Sequence, residues 1–466
     1  MHCKYEMIVG LEVHAELKTE TKIFCSCKNE YGASPNTRVC PVCLGMPGVL
    51  PRLNRRAVEL GITAGLACGC TISLLSRFDR KNYFYPDLPK GYQITQYDHP
   101  LCRDGFLDVE TEDGIRRIAV QRMHLEEDAG KLLHSEDGTK VDFNRAGVPL
   151  IEIVSAPDIR SSSEARAYLT ALRERLLFAG VSDCKMNEGS MRCDVNLSVR
   201  LRGSDGFGVR TEIKNINSVA FAAKAIEYEF VRQTEILEAG GEIRPQTRRY
   251  DEATGTTVLM REKETAADYR YFPEPDIPPL QLTEADIEAV RRGMPLLADA
   301  YRKMFDCHGI AEDLAFQLTQ TPDLAGYFRA VCERARHPRI AANLLIGEML
   351  PKGLTLPAES LAAVADMAGE KMISAASARK LLSLCMDGGD PRTVAEKNRM
   401  LMLTDPDAVA ALVREAAEAN PEAVRQYAAG NDKAKQPLIG FVMKKSGGRA
   451  DPAVLNEMLE KILKSN

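Results

Sequence analysis

The sequence has no apolar run close to the roughly 20 residues that a membrane-spanning helix needs. Its N-terminal stretch MHCKYEMIVG also contains no apolar targeting region. These two absences argue against a membrane protein and against an exported one. We therefore expect a cytoplasmic protein with no membrane partner.

Several catalytic motifs are absent as well. There is no GxxxxGK[ST] motif, which excludes a P-loop ATPase. There is neither a kinase signature set nor a G-x-S-x-G motif that belongs to a hydrolase. No Ser-rich amidase stretch occurs, so we expect that this chain does not itself release ammonia from glutamine.

Positive charge is not in excess, because the net charge is -5 and the pI is near 6.0. Any contact with nucleic acid must therefore use local clusters of lysine and arginine. A composition of 45% hydrophobic and 27% charged residues is typical of a globular protein with sizeable cores. The thirteen cysteines are an odd number without a secretion signal, which favours reduced thiols and a metal role for any tight cluster.

A period of two near the start of the chain predicts a strand with one buried face. Its apolar positions are Met7, Val9, Leu11, Val13, Ala15 and Leu17. Glu12, His14 and Glu16 must then share the opposite, polar face. The same alternation over 191–201 and, more weakly, over 209–214 predicts two further strands, and strands with one apolar face belong in an antiparallel sheet.

Helices interrupt these strands and dominate the second half of the chain. Ser161 and Glu164 form a capping-box pattern before a helix that ends at Gly180, and a second helix begins at Val219. We predict an α+β fold with domains at 1–290, 291–395 and 396–466, the last two helical. The Pro-rich segment 272–279 can be neither regular helix nor central strand, and we expect the first domain to end near it. An apolar stripe at 454–462 predicts a last helix that packs into a core.

The sharpest local signal is a set of two cysteine pairs, Cys25 with Cys27 and Cys40 with Cys43. Four thiolates at this spacing suit tetrahedral Zn²⁺, and a closed four-sulfur site is structural because no coordination position stays open. Cys68 or Cys70 could supply an alternative ligand. The other interpretation is four reduced thiols without metal.

A more diffuse signal is a set of carboxylates and histidines on strands. It comprises Glu12 and His14, the run HLEED at 124–128, and Glu152 within the apolar stretch PLIEIVS. A carboxylate in such a strand is usually paired or bound to metal, and oxygen ligands suit Mg²⁺. The other interpretation is a solvated sheet face with ordinary salt bridges.

Basic and aromatic residues alternate in FDRKNYFYPD at 78–87 and continue in KGYQ at 90–93. Such a segment can bind phosphate and stack on a nucleobase. The other interpretation is a surface loop with packed aromatic rings.

Six longer motifs follow one another along the chain. They are VGLEVHAEL at 9–17, DRKNYFYPD at 79–87, HLEEDAGK at 124–131, PLIEIVS at 149–155, MRCDVN at 191–196 and YRYFPEPDIPPL at 269–280. Together they resemble the GatB family, the B subunits of the aspartyl/glutamyl-tRNA(Asn/Gln) amidotransferase. The end of the chain is similar to the small YqeY-like tail domain of that family.

The resemblance implies a catalytic cradle domain with a zinc-binding insertion and an activity that is shared with partners. A GatA amidase subunit hydrolyses glutamine, and a small GatC subunit links the two. The GatB chain uses ATP and Mg²⁺ to phosphorylate the side-chain carboxylate of Glu-tRNA(Gln) or Asp-tRNA(Asn), and ammonia then displaces phosphate. The non-discriminating aminoacyl-tRNA synthetase is a further expected partner. Phosphoryl transfer of this kind depends on positioning and charge neutralisation.

The resemblance also implies roles for individual residues. The Mg²⁺ site falls on His14, Glu127 and Glu152, with Glu12 nearby and Asp194 in the catalytic set. ATP or phosphate binding falls on Arg80, Lys81, Asn196 and Lys214. We expect Lys81 to contact phosphate and Asp194 to have an orienting role in the site. Because some family members lack the cysteine pairs, the resemblance makes zinc a subtype feature that supports the fold.

A basic cluster in the tail is the expected tRNA contact. It comprises Lys433, Lys435, Lys444, Lys445 and Arg449. The other interpretation of this cluster is a solubilising surface. An alternative for the whole chain is a tRNA-docking scaffold with structural metal sites only, although a scaffold has no need of a polar metal site inside its sheet. The related archaeal-type E subunit requires a large extra domain, for which this chain has no room.

Overall fold

A computed structural model of the chain describes residues 4–262, 268–386 and 388–464. The chain divides into two compact units, the first from Met1 to Leu297 and the second from Ala298 to Asn466. Among the described residues, no helix is long and apolar enough to cross a membrane.

Sixteen strands are present in the described part of the chain, and all of them lie in the first unit. They are β1 Tyr5–Glu16, β2 Thr71–Ile72, β3 Leu75–Ser76, β4 Asp79–Asn82, β5 Tyr92–Thr95, β6 Cys102–Thr111, β7 Gly114–Glu127, β8 Lys131–Ser135, β9 Gly138–Asp142, β10 Pro149–Ser155, β11 Met191–Leu201, β12 Thr211–Ile216, β13 Gln246–Asp251, β14 Thr256–Glu262, β15 Phe272–Pro273 and β16 Leu280–Gln281.

The α-helices of the described residues belong to both units. Those of the first unit are α1 Arg55–Ala67, α2 Ser162–Phe178, α3 Val219–Glu238 and α4 Glu284–Arg292. Those of the second unit are α5 Ala298–Cys307, α6 Glu312–Leu318, α7 Pro322–Cys332, α8 Pro338–Leu344, α9 Ala358–Gly369, α10 Ala375–Leu384, α11 Pro391–Lys397, α12 Pro406–Ala419, α13 Pro421–Ala428, α14 Lys435–Ser446 and α15 Pro452–Lys464. A π-helical turn at Leu345–Met349 follows α8, and short 3₁₀ turns occupy Leu350–Lys352 and Asp432–Ala434.

The first unit is built round a nine-stranded sheet in the order β14-β13-β12-β11-β1-β10-β7-β6-β2. Neighbouring strands in this sheet are antiparallel, except that β12 and β13 are parallel and are joined by the crossover helix α3. Val9, Leu11 and Val13 of β1 are fully buried, as their period of two predicts. Helices α1, α2 and α3 pack on this apolar face. The other face of β1 carries the polar residues.

The predicted helices form where their sequence signals place them. The Ser161 hydroxyl accepts a hydrogen bond from the Glu164 amide at the start of α2, and Gly180 stops it in a left-handed conformation with φ of 68°. Ser218 caps α3 in the same way. The predicted α+β fold class is confirmed.

The Pro-rich segment contributes one strand to a small three-stranded sheet in the order β15-β4-β5. Residues Phe272 and Pro273 form the short edge strand β15 against β4, and the Glu274 amide donates to the Phe78 carbonyl over 2.9 Å. The segment is thus neither a helix nor a central strand, as predicted. The first unit continues through α4 to Leu297. The three predicted domain boundaries stay predictions.

Among its described residues, the second unit contains two separate apolar cores. One is formed by buried residues between Phe305 and Met400, and the other by buried residues between Val409 and Leu463. In α15, Leu455 and Leu459 are buried in the second core, which confirms the packing interpretation of the stripe. The Asp451 side chain accepts from the Ala453 amide over 2.7 Å and so caps this helix.

Candidate active site and cysteine cluster

The polar face of the sheet gathers its ionisable groups on three neighbouring strands. β1 pairs with β10, and β10 pairs with β7, so that His14 lies opposite Glu152 and Glu152 lies opposite His124. Directly paired residues project to the same face of a sheet. The two imidazoles therefore flank one carboxylate.

Glu126 and Glu12 complete this group, which we call the polar cluster. His14 Nε2 lies 3.3 Å from Glu126 Oε1 and 3.3 Å from Glu152 Oε2. His124 Nε2 lies 3.4 Å from Glu152 Oε2. His124, Glu126 and Glu152 are all less than 10% exposed, at 3%, 2% and 6%. Because these groups are buried and close together, each one affects the ionisation of the others.

The pKa values of the cluster follow from burial and from these contacts. Burial alone would lower the pKa of His14, but hydrogen bonds to Glu126 and Glu152 outweigh it and raise the pKa well above its usual value. Burial works against ionisation of Glu152, yet the adjacent His124 and His14 bring its pKa well below the usual value. Burial raises the pKa of Glu12, and the nearby Glu152 charge adds to the effect. Excess negative charge at this site favours a bound cation.

The donor set suits a divalent cation. One atom each from Glu12, His14 and Glu152 lie within 4.8 Å of one another, as do atoms from His124, Glu126 and Glu152. Neighbouring ligands of octahedral Mg²⁺ are about 3 Å apart, close to the 3.3 Å between His14 and its two carboxylates. The residues present therefore fit the Mg²⁺ that the sequence predicts.

The structure places Glu127 outside the polar cluster and corrects its expected position. Because side chains alternate along β7, Glu127 points to the face opposite His124 and Glu126. There it forms an ion pair with Lys90 and accepts a hydrogen bond from the Ile94 amide over 2.9 Å. Glu126 takes the place in the cluster that the resemblance gave to Glu127.

A cavity of about 380 Å³ opens over the polar cluster. One side of it carries Glu12, His14 and Glu126. Lys81 and Lys214 also line it. Burial alone would lower the pKa of Lys81, but the charges of Glu126 and other acidic neighbours outweigh it and raise the pKa. Carboxylates and ammonium groups thus face the same space.

The other residues predicted on β11 and β12 lie beside this cavity. Asp194 faces Glu12 across the β1–β11 pair, and the Lys214 ammonium donates to Asp194 Oδ2 over 2.7 Å. Asn196 lies one step further along the same face, opposite Gly10, and does not line the cavity. Asp194 and Lys214 are thus brought to the site, whereas Asn196 flanks it.

Arg80 is not in the cavity. Its guanidinium forms two hydrogen bonds with the fully buried Glu274 carboxylate, at 2.7 and 3.0 Å, and lies 3.1 Å from Asp276 Oδ2. The Tyr92 ring packs 4.2 Å from it. Because Arg80 and Lys81 alternate along β4, only Lys81 faces the cavity. The structure gives Arg80 a role in holding the Pro-rich segment, which corrects its expected place at phosphate.

The four predicted cysteines lie together. Sulfur atoms of Cys25, Cys27, Cys40 and Cys43 are all within 4.8 Å of one another, and Cys40 Sγ lies 3.9 Å from Cys43 Sγ. Tetrahedral Zn²⁺ with bonds of about 2.3 Å separates its sulfurs by about 3.8 Å. The cysteine cluster, as we call these four residues, therefore fits a tetrahedral metal. Cys68 and Cys70 are buried in the main apolar core and are not alternative ligands.

The predicted tRNA-binding residues of the tail lie on and around α14. Lys435 pairs with Asp432 and Glu460 at 3.7 and 3.5 Å, and Lys445 pairs with Glu415. The Arg449 guanidinium donates to the Ser446 carbonyl over 2.9 Å. Lys433 and Lys444 are exposed. The cluster is basic at its surface, but acidic neighbours compensate part of its charge.

Sequence analysis singled out the HLEED run as a whole, but the resemblance assigned only Glu127 from it and gave no role to His124 or Glu126. Both lie in the HLEED run, and the period of two applied to that run would have separated them from Leu125 and Glu127. It also missed Arg192, which lines the cavity and donates to Asp128 Oδ2 over 2.8 Å. Arg192 lies opposite His14 on β11, so its place follows from strand pairing, which the sequence did not provide.

Comparison with known proteins assigns both units. The model described as the GatB/GatE catalytic domain matches residues 7–288, which contain the polar cluster and its cavity. A second model, described as a GatB domain, matches residues 326–463. The first unit is thus a catalytic domain of the GatB/GatE type, and the second is a helical region that GatB proteins share.

Individual relatives agree over almost the full length. The B subunit of the aspartyl/glutamyl-tRNA(Asn/Gln) amidotransferase of Caldicellulosiruptor saccharolyticus is 47% identical over 476 residues, covering 99% of each chain. The same protein of Clostridium botulinum strain Eklund 17B is 46% identical, covering 98% of each chain. That of Geobacillus thermodenitrificans is 47% identical, again over 98% of each. The chain belongs to the GatB family.

Proposed function

We propose that this chain is the GatB component of a tRNA-dependent amidotransferase and that it uses ATP to activate a side-chain carboxylate on aminoacyl-tRNA. The substrate is Glu-tRNA(Gln), Asp-tRNA(Asn) or both, and the product is the corresponding amide. The observation that carries the proposal is the polar cluster of Glu12, His14, His124, Glu126 and Glu152 beside Lys81 and Lys214. The relatives support it, since their names describe the B subunits of such an enzyme.

The chemistry requires an activated carboxyl group. A carboxylate is a poor electrophile, whereas an acyl phosphate carries a good leaving group that ammonia can displace. When bound, Mg²⁺ supplies positive charge that neutralises the nucleotide phosphates. Glu12, His14, Glu126 and Glu152 are the residues that would hold it. Two negative reactants, ATP and a carboxylate, can then approach one another in the cavity.

The remaining work is done by the chain's own side chains. Lys81 and Lys214 neutralise phosphate oxygens, and Asp194 holds the Lys214 ammonium in place through its 2.7 Å hydrogen bond. His14 is oriented by Glu126 and Glu152, whose carboxylate oxygens each lie 3.3 Å from His14 Nε2. Positioning and charge neutralisation of this kind account for most catalysis of phosphoryl transfer.

Partners supply what this chain lacks. We propose that a GatA subunit provides ammonia from glutamine, that a GatC subunit joins the two, and that the non-discriminating synthetase delivers the mischarged tRNA. Lys433, Lys435, Lys444, Lys445 and Arg449 are proposed contacts for the tRNA backbone. We place the reaction in the cytoplasm, where tRNA is charged. The cysteine cluster is proposed to bind Zn²⁺ and to support the fold.

The test compares Glu152→Gln with Glu110→Gln in the assembled complex. Glu152 lies in the polar cluster, whereas Glu110 is an exposed residue of β6 in the same sheet. Amide formation is measured with mischarged tRNA, ATP and free ammonium, so that glutamine hydrolysis plays no part. We expect Glu152→Gln to lower the rate by about 100-fold or more, because a metal-binding charge is lost. Glu110→Gln is expected to leave it unchanged.

The competing function is a tRNA-docking scaffold with structural metal sites. A scaffold has no need of a buried His–carboxylate group under an open cavity. It would bind mischarged tRNA normally and form the amide at the same rate with Glu152→Gln as without it. That result would replace the catalytic proposal with the scaffold.

A further inference from the structure

A fully buried lysine lies against the cysteine cluster. Lys22 is 0% exposed and belongs to the largest fully buried side chains of the described residues. Its Nζ lies 3.6 Å from Cys43 Sγ and 3.4 Å from the Phe143 carbonyl oxygen. Its backbone amide donates to the Cys27 carbonyl over 2.9 Å, which closes the turn that holds the first cysteine pair. Lys22 thus touches both halves of the cluster.

An ammonium group in this position needs a negative partner. Burial of a charge without one is among the most unfavourable changes in a protein interior. Within the described part of the chain, no carboxylate forms an ion pair with Lys22, and its polar neighbours are one sulfur and one carbonyl oxygen. A neutral carbonyl oxygen does not balance the charge. The sulfur must therefore supply it.

Thiolates bound to a metal provide that charge. Four thiolates around one divalent cation leave a net charge of about -2 by simple valence counting, held in a partly buried site. Cys43, the cysteine nearest Lys22, is itself buried. A cation that donates an N–H to sulfur lowers the net charge without occupying a coordination position.

We propose that Lys22 is the charge-balancing hydrogen-bond donor of a tetrathiolate centre for a thiophilic divalent cation such as Zn²⁺, which rests on the metal role proposed above for the cysteine cluster. It is a positioning residue, because it acts on the metal through Cys43. The ammonium neutralises one of the two excess negative charges and so slows loss of the metal. In return, the metal-bound thiolate stabilises the buried ammonium.

Lys22 and its neighbour Ile23 also contact a loop that leads into the nine-stranded sheet. Lys22 reaches the loop 143–147, and the Ile23 amide donates to the Gly147 carbonyl over 2.9 Å. Gly147 has a φ of +85°, and a β-carbon there would lie 3.5 Å from Cys43 Cβ and 3.6 Å from Lys22 Cδ. This loop leads directly into β10, the strand of Glu152. Lys22 and Ile23 therefore connect the cysteine cluster to the loop that precedes the strand of Glu152.

The first experiment measures metal release from the full chain. Zinc-loaded Lys22→Met and Lys28→Met are mixed with excess chromogenic chelator, and the rate of zinc transfer is followed by absorbance. Lys28 is the matched control, because it adjoins Cys27 but is 64% exposed and pairs with Glu30. We expect at least about tenfold faster release from Lys22→Met and less than about twofold change from Lys28→Met. Equal rates for both variants and the unaltered chain would overturn the proposal.

The second experiment separates charge balance from simple packing. Cys25, Cys27, Cys40 and Cys43 are replaced together by serine, and thermal unfolding of this serine background is measured with and without the added Lys22→Met substitution. Without thiolates the ammonium has lost its partner, so Lys22→Met should raise the midpoint of unfolding in the serine background. In the zinc-loaded chain it should lower the midpoint. A lower midpoint in both backgrounds would assign Lys22 to packing alone. The comparison in the serine background needs no zinc, so it also decides the case in which Lys22→Met fails to retain the metal.

Discussion

Asp194 holds the Lys214 ammonium over 2.7 Å at the edge of the cavity, and the two residues come from adjacent strands. Burial alone would lower the pKa of Lys214, but the charges of Asp194 and Glu212 outweigh it and raise the pKa. The ammonium therefore stays charged at the pH of the cell. Its hydrogen bond to Asp194 also orients the ammonium before phosphate binds.

Loss of this ammonium should weaken ATP binding. We expect Lys214→Met to raise the KM for ATP by about tenfold or more, because a hydrogen bond between charged groups is lost. The matched control is Lys224→Met, at an exposed position on α3. Steady-state amide formation in the assembled complex, at varied ATP, measures both. An unchanged KM in Lys214→Met would remove this residue from the phosphate site.

The two glutamates of the HLEED run should differ in their effect on metal binding. Glu126 lies in the polar cluster, whereas Glu127 is paired with Lys90 on the opposite face. We expect Glu126→Gln to weaken Mn²⁺ binding about 10- to 100-fold. Glu127→Gln should leave it within about threefold. Titration with Mn²⁺, followed by electron paramagnetic resonance, reports free metal directly, and the reverse order of the two variants would restore the ligand set expected from the sequence.

The Arg80–Glu274 pair should matter for stability more than for chemistry. Glu274 is fully buried and accepts two hydrogen bonds from Arg80, so Arg80→Met leaves an uncompensated charge. We expect a loss of about 3 kcal/mol in the free energy of unfolding, measured by urea denaturation. Arg117 and Asp108 form a similar two-bond pair that is largely exposed. Arg117→Met should change the free energy of unfolding far less than Arg80→Met does, because solvent screens an exposed pair. Similar losses for the two arginines would contradict a special role of the buried pair.

Glu16 should make stability depend on pH. Burial, with a smaller contribution from the Asp128 charge, raises the pKa of Glu16 to about 7. An unfolded glutamate has a pKa of about 4.3, so the folded chain binds more protons between these values and loses stability as pH rises across this window. Glu16→Gln should remove that loss. Its advantage over the unaltered chain should grow by about 2 kcal/mol between pH 5 and pH 7.

Urea denaturation of both forms across that window provides the measurement. Glu30→Gln is a suitable control, because Glu30 is an exposed carboxylate whose pKa is lowered by hydrogen bonds from Lys28 and Arg38. Stability curves of Glu16→Gln and the unaltered chain that run parallel from pH 5 to pH 8 would show that Glu16 is ionised throughout.

Local patterns in the sequence predicted much of the fold. The alternation in β1 and β11 depends only on which side chains are apolar, and both strands occur where it places them. The caps of α2 and α15 are equally local. The order of the strands in the sheet could not be predicted in this way. β1 lies between β10 and β11, which are far away in the chain. No local pattern specifies such pairing.

The same limit explains what was missed at the site. His14 and Glu12 were placed together because they share one strand. To choose between Glu126 and Glu127, one must know which face of β7 lies beside Glu152. To place Arg80, one must know its buried partner Glu274, which is 194 positions away in the sequence. Lys22 was not singled out by any sequence pattern, because its burial depends on contacts with Cys27, Cys43 and Phe143. Long-range contacts decided each of these cases.

The central place of β1 in the sheet also bears on how the chain is made. β1 is synthesised well before its two neighbours in the sheet, which begin at Pro149 and Met191. Until those strands are synthesised, both edges of β1 and its apolar face have no partner. Pairing over such sequence distances is slow. Nascent chains that stop before β11 should therefore be the ones that chaperones hold, and the polar cluster should form only once β10, the strand of Glu152, has been translated.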